Sequence, residues 1–135
     1  MFIAPKVLAG KRVLIVEDEL IIAMTIEDFL LECGCIIVGP CSTVAQAMEA
    51  VQAETPDLAV LDVNLGGQTA YPVAFALAER HIPFVFTSGY GDQATPPGHD
   101  DWKVCAKPFT GDELIAMLAA ALAGDGRTPP EPSGP

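Results

Sequence analysis

The chain has 135 residues, half of them apolar, and its 7 basic and 18 acidic side chains give a formal net charge of −11. That length suits one domain with a real core, and the apolar content excludes a chain disordered throughout. The acidic balance, with no basic patch, argues against nucleic acid or an anionic membrane as partner, and no apolar run approaches the roughly 20 residues of a membrane span.

Residues 1–10 read as a loose lead-in, too short for a signal peptide, so a cytoplasmic location is expected. Residues 12–16, Arg-Val-Leu-Ile-Val, form an apolar run of strand length. Glu17, Asp18 and Glu19 stand at its C-terminal end. Helical spacing follows over 20–32, with Ile22, Ile26, Phe29 and Leu30 on one face, and Gly34 ends that helix. Residues 35–39 predict a second strand, broken by Pro40. Thr43 and Gln46 fit a capping box, opening a helix with Val44, Ala47, Met48 and Val51 on one stripe.

Leu58, Ala59, Val60 and Leu61 make a third short apolar run, ended by Asp62 and the turn residues Gly66 and Gly67. A third helix is expected over about 70–80, with Pro72 tolerated in its first turn. Residues 83–87 predict strand four, left through Ser88, Gly89, Tyr90 and Gly91. Gly91, Pro96, Pro97 and Gly98 leave no room for a regular helix over 91–101. Residues 102–106 predict strand five, followed by Lys107 and Pro108. Thr110 and Glu113 form a second capping box, and Leu114, Ile115, Leu118, Ala121 and Leu122 face inward from the last helix. The domain thus spans 11–124, and 125–135 is expected to be a disordered tail. The four cysteines, Cys33, Cys35, Cys41 and Cys105, lack C-x-x-C spacing and read as buried reduced thiols.

Strand–helix alternation implies a parallel α/β sheet with right-handed crossovers and helices on both faces. All strand C-termini then meet at one edge. That edge gathers Glu17 and Asp18, Asp62, the hydroxyls of Thr87 and Ser88, and Lys107. Singly, each has a plain reading: acidic residues at a helix N-terminus, a strand-ending carboxylate, a turn cap, a surface lysine. Together they form a set with chemistry. Clustered carboxylates repel unless a divalent cation joins them, and oxygen-only ligands suit Mg²⁺. A cation, a lysine and a hydroxyl can neutralise the three oxygens of a transferring phosphoryl group, with Asp62 as nucleophile.

This ordered set resembles the receiver domain of two-component response regulators, over about residues 10–124. The resemblance implies a flavodoxin-like, doubly wound five-stranded parallel sheet of order 2-1-3-4-5, with the fourth helix weak or missing. It implies that Glu17, Asp18 and Asp62 bind Mg²⁺ and that the backbone carbonyl of Asn64 joins them. Asp62 would be the phosphoacceptor, Lys107 would pair with the phosphoryl group, and Ser88 would supply the hydroxyl. Ser88 is preferred to Thr87, the runner-up, because Phe86-Thr87-Ser88-Gly89-Tyr90 resembles the Phe-Ala-Thr-Gly-Tyr signature of the alphaproteobacterial FAT GUY subgroup. The aromatic position three before the lysine is Val104 here, which makes Tyr90 the candidate switch residue.

The function implied is that of a stand-alone receiver phosphorylated by a sensor histidine kinase, signalling by protein contact, relay to a downstream phosphotransfer or regulator protein, or service as a phosphate sink. It would be a phosphoacceptor that catalyses its own phosphorylation and dephosphorylation rather than an enzyme acting on a separate substrate. Two alternatives stand beside it. One is a receiver-like interaction module that is not phosphorylated. The other is a small phosphatase with an Asp nucleophile, disfavoured because such enzymes want Asp-x-Asp and Asn64 holds the second position.

Overall fold

In a computed structural model, which describes residues 6–89 and 95–124, the apolar runs become the strands of one sheet. The elements are β1 (Arg12–Val16), α1 (Leu20–Glu32), β2 (Ile36–Cys41), α2 (Val44–Glu54), β3 (Leu58–Asp62), β4 (Asn64–Leu65), β5 (Gln68–Thr69), α3 (Tyr71–Glu79), β6 (Phe84–Ser88), β7 (Lys103–Ala106) and α4 (Gly111–Ala123). The five long strands form a parallel sheet of order β2-β1-β3-β6-β7. This is the expected doubly wound, flavodoxin-like topology. β4 and β5 form a small separate antiparallel hairpin directly after Asp62.

The centre of the sheet is dry because its strands present apolar groups to both faces. Leu14, Val16, Ala59, Leu61, Phe84 and Phe86 pack under α2 and α3. Val13, Ile15, Leu58, Val60 and Val85 pack on the other face, with Ile26 and Leu30 of α1 and Leu114, Ile115 and Leu118 of α4. Strand alternation is what divides them. The four cysteines are free and buried, and burial lifts their thiols above the ordinary value, Cys35 to about 11.

Three local expectations change. Pro40 does not end β2, which runs on to Cys41 through a register shift opposite β1. β2 lies at the sheet's edge, where a missing backbone N–H costs no ladder bond. The lead-in is not loose where it is described: Lys6–Leu8 make a 3₁₀ turn, and Leu8 is fully buried beside Cys35. The cap of α2 is one residue wider than a capping box, since Gln46 N–H donates to Thr43 Oγ1 but the Gln46 side chain accepts from Ser42 N–H. The box at α4 is complete, with Thr110 and Glu113 bonded reciprocally. Among the described residues between β6 and β7 there is no helix, only turn bonds from His99 N–H to the Pro96 carbonyl and from Trp102 N–H to the His99 carbonyl. The stretch read as a disordered tail, 125–135, lies outside the described residues. Among those described, no helix is long and apolar enough to cross a membrane.

The shift in β2 hinges on Gly39. Its φ is +96°, and a Cβ there would stand 2.8 Å from Cys41 N and 3.0 Å from the Ile15 carbonyl oxygen. Both obstacles are backbone and cannot rotate away. Gly39→Ala is therefore expected to destabilise the fold by about 2 kcal/mol or more, read as a lower urea midpoint with an unchanged slope.

Candidate functional site

The carboxyl edge of the sheet assembles the site, and the pleat decides which side chains share it. Glu17, Asp62, Thr87 and Lys107 each continue the alternation of the α1–α4 face, whereas Ser88 falls on the α2–α3 face with Phe84 and Phe86. Glu17 follows β1, Asp62 closes β3, and Lys107 follows β7 by one residue. Backbone bonds fix these ends. Glu17 N–H donates to the Cys41 carbonyl at 2.9 Å and Lys107 N–H to the Ser88 carbonyl at 2.8 Å.

Lys107 Nζ stands 3.3 Å from Glu17 Oε1 and 3.4 Å from Asp62 Oδ1. Glu17 is 2% exposed and Asp62 4%. Glu17 Oε2 accepts from Glu19 N–H at 3.1 Å, but Oε1, though close to the ammonium, is buried and makes no hydrogen bond. Asp18 is exposed beside this pair, over the hairpin. A Cβ on Gly66 would lie 3.7 Å from Asp18 Oδ2, so the carboxylate borders the turn that glycine makes.

The electrostatics follow from burying two carboxylates beside one ammonium. Burial lifts Glu17 from 4.5 to about 7; the Asp62 charge adds to this, and the Glu19 N–H and Lys107 oppose it. Burial also raises Asp62, partly offset by the neighbouring Glu17 carboxyl and by the Lys107 charge. Burial acts to lower Lys107, but the charges of Asp62 and Glu17 outweigh it and leave the ammonium harder to deprotonate than usual. Glu17, Asp18 and Asp62 can each present one carboxylate oxygen, all within 4.8 Å of one another. Glu17 Oε1 is buried without a hydrogen bond, and the all-oxygen set fits a hard divalent cation.

The remaining expected residues fall as follows. Asn64 N–H faces Asp62 Oδ1 at 3.4 Å, and Asn64 Oδ1 accepts from Gly67 N–H at 2.9 Å, so the side chain is tied into the hairpin. Thr87 pairs with Asp62 in the β3–β6 ladder and is fully buried, and its Oγ1 has no hydrogen-bond partner. Ser88 lies at the rim, 8% exposed, its hydroxyl donating to the Gly89 carbonyl at 3.3 Å. Tyr90 lies outside the described residues. Sequence reasoning finds these side chains but misses their supports: the Glu19 amide, the Cys41 carbonyl and the β4–β5 hairpin. Of these only the hairpin has a sequence signal, in Gly66 and Gly67.

A doubly wound sheet with an acidic cluster and a lysine at its carboxyl edge defines a receiver-type signalling domain. Residues 13–119 match the response regulator receiver domain, and the chain belongs to that family of two-component systems. It is similar to SdrG of Sphingomonas melonis Fr1, at 47% identity and a TM-score of 0.75, covering 84% of this chain and 97% of that one. A structure of SdrG in its BeF3-activated conformation is similar at 48% identity and a TM-score of 0.70, over 84% of this chain and 98% of that one. The transcriptional regulatory protein PdtaR of Mycobacterium tuberculosis is 30% identical over 116 residues, 83% of this chain and 57% of its own length. The chemotaxis protein CheY of Bacillus subtilis is 29% identical over 119 residues, 82% of this chain and 97% of its own. The chain therefore spans little more than half of PdtaR.

A carboxyl group whose pKa is raised on folding contributes stability that is fully present below its unfolded value and is lost as pH rises through the folded one. For Glu17 that window runs from 4.5 to about 7. In chelator, the melting temperature of the wild type is expected to fall between pH 5 and pH 8, and Glu17→Gln to reduce that fall by several degrees, since 1 kcal/mol is worth about 4 °C in a domain of this size. Equal pH dependence in both proteins would show that Glu17 is not held in a desolvated pocket.

Proposed function

We propose that the protein accepts a phosphoryl group from a sensor histidine kinase onto Asp62, in a Mg²⁺-dependent reaction. The observation that carries this reading is the placement of Asp62, buried, 3.4 Å from Lys107 and grouped with the carboxylates of Glu17 and Asp18. Glu17, Asp18 and Asp62 would hold the cation, with the Asn64 backbone carbonyl as a further oxygen. When bound, it would neutralise charge on the phosphoryl oxygens and on the carboxylates themselves.

An ionised Asp62 oxygen attacks the phosphorus of the donor in line. The new O–P bond forms as the P–N bond to the donor imidazole breaks, and the electron pair leaves with that nitrogen. Lys107 stays protonated throughout and pairs with a phosphoryl oxygen, which its upward shift favours. Ser88, at the rim of the site, would supply the hydroxyl for a second oxygen by turning over the end of β6, and Thr87, fully buried on the Asp62 face, is the runner-up. Hydrolysis of the aspartyl-phosphate resets the site, with water attacking phosphorus and Asp62 leaving as the carboxylate.

Phosphorylation adds negative charge to an already acidic edge, and the loops after β3 and β6 respond. The output is contact with another protein, relay of the phosphoryl group to a downstream phosphotransfer or regulator protein, or withdrawal of phosphate from the kinase. The net charge of −11 disfavours a nucleic-acid partner.

The test is intact mass after incubation with acetyl phosphate and Mg²⁺. One phosphoryl adduct is expected on the wild type, and none on Asp62→Asn or after chelation. An adduct that persists in Asp62→Asn would place the chemistry elsewhere. Steady release of phosphate from small esters without an adduct would favour a phosphatase.

A further inference from the structure

The 95–102 turn that leads into β7 is fastened by aromatic rings, and the rings run back to the strand that carries the hydroxyls. Trp102, the one tryptophan in the chain, is 7% exposed. Its ring centroid lies 5.1 Å from Phe84, 6.0 Å from Phe86, 5.3 Å from Phe75 and 4.2 Å from His99. Phe75 also meets His99 at 5.2 Å, and Tyr71 reaches Phe86 at 6.0 Å. Most of these pairs meet edge to face, as ring quadrupoles prefer. The connected set begins at Phe86, fully buried two residues before Ser88, and ends at Phe75, which α3 leaves 42% exposed.

Position on the pleat gives the set its meaning. Phe84, Phe86 and Ser88 alternate onto one face of β6, so Ser88 is the next residue along the same row as the rings. Val104, paired with Phe86 across the ladder, offers only an aliphatic side chain there. Trp102 spans both phenylalanines from the next strand's approach. Packed rings have few rotamers and little free volume, so a change at the end of β6 is taken up by moving a neighbour rather than by compression.

We propose that Trp102 is a positioning residue that couples the phosphoacceptor edge to the outer surface. Through Phe86 it senses the end of β6, and through His99 and Phe75 it sets the 95–102 turn and the exposed face of α3. The coupling rests on the phosphoacceptor reading: Asp62 pairs with Thr87 in the β3–β6 ladder, so loading of Asp62 would act on the end of β6.

Trp102 emission reads this directly, since no other tryptophan contributes. Acetyl phosphate and Mg²⁺ would be added to the full chain, with intact mass following loading in parallel and beryllofluoride with Mg²⁺ as a second probe. A shift in Trp102 emission that tracks loading is expected, with none in Asp62→Asn. Trp102→Leu should still take the adduct but lose the loading-dependent change in amide hydrogen exchange over 95–102 and α3, and Trp102→Phe should restore it. Phe75→Leu, a surface change, keeps the fold testable if Trp102→Leu does not fold: it should retain the emission shift and lose the exchange response in α3. Full loading with unchanged emission overturns the coupling alone, as does an exchange response that survives Trp102→Leu. Absence of any adduct overturns the coupling together with the phosphoacceptor reading.

Discussion

Two buried carboxylates sharing one ammonium is the constraint on which the rest of the site depends. Glu17 and Asp62 lie 3.3 Å and 3.4 Å from the same Lys107 nitrogen, nearly closed off from water. One lysine cannot neutralise both, and a third carboxylate, Asp18, stands beside them. Buried charge left unmatched must take up a proton, gain a counter-ion or unfold its surroundings. The raised Glu17 is the first response, and a divalent cation would be the second. Under the proposed function the same imbalance would serve phosphorylation, since Glu17, Asp18 and Asp62 would hold a cation that supplies positive charge beside the phosphoryl oxygens.

The sheet order makes this cluster reachable from separate parts of the chain. β1 and β3 are neighbours, so Glu17 and Asp62 meet directly, but β6 stands between Asp62 and the strand that carries Lys107. Strands lie about 4.8 Å apart, so a side chain from β7 must cross two such gaps to reach β3 and three to reach β1. A lysine stem is long enough when the carboxylates lean toward it, and its apolar methylenes can lie over the sheet edge. The arrangement also explains why Glu17 needs outside support. The Cys41 carbonyl holds its backbone and the Glu19 amide holds one of its oxygens, leaving the other without a hydrogen bond beside the Lys107 ammonium.

Much of this was legible in the chain because each chemical residue stands at the end of an apolar run. Runs of β-branched and aliphatic residues predict buried parallel strands, and topology alone then brings Glu17, Asp62 and Lys107 to one edge. What the chain did not disclose depends on neighbours distant in sequence. Pro40 reads as a strand breaker until β2 is known to lie at the sheet's edge. Leu8 reads as lead-in until it is seen buried beside Cys35. Trp102 reads as the first residue of a strand, yet its role comes from Phe75, Phe84, Phe86 and His99, whose convergence no local pattern signals. The choice between Thr87 and Ser88 turns on one step of the pleat: Thr87 shares the face of Asp62, and Ser88 shares the face of the rings.

The central claim is that the acidic pocket is desolvated and exchanges a proton for a cation. The most direct test is titration calorimetry of Mg²⁺ into the wild type and Glu17→Gln near pH 7, in two buffers of different ionisation enthalpy. Because burial pushes Glu17 up to about 7, binding to the wild type should release protons, and the variant should release fewer and bind more weakly. Binding of equal strength to both proteins, with no proton released from either, would contradict the account.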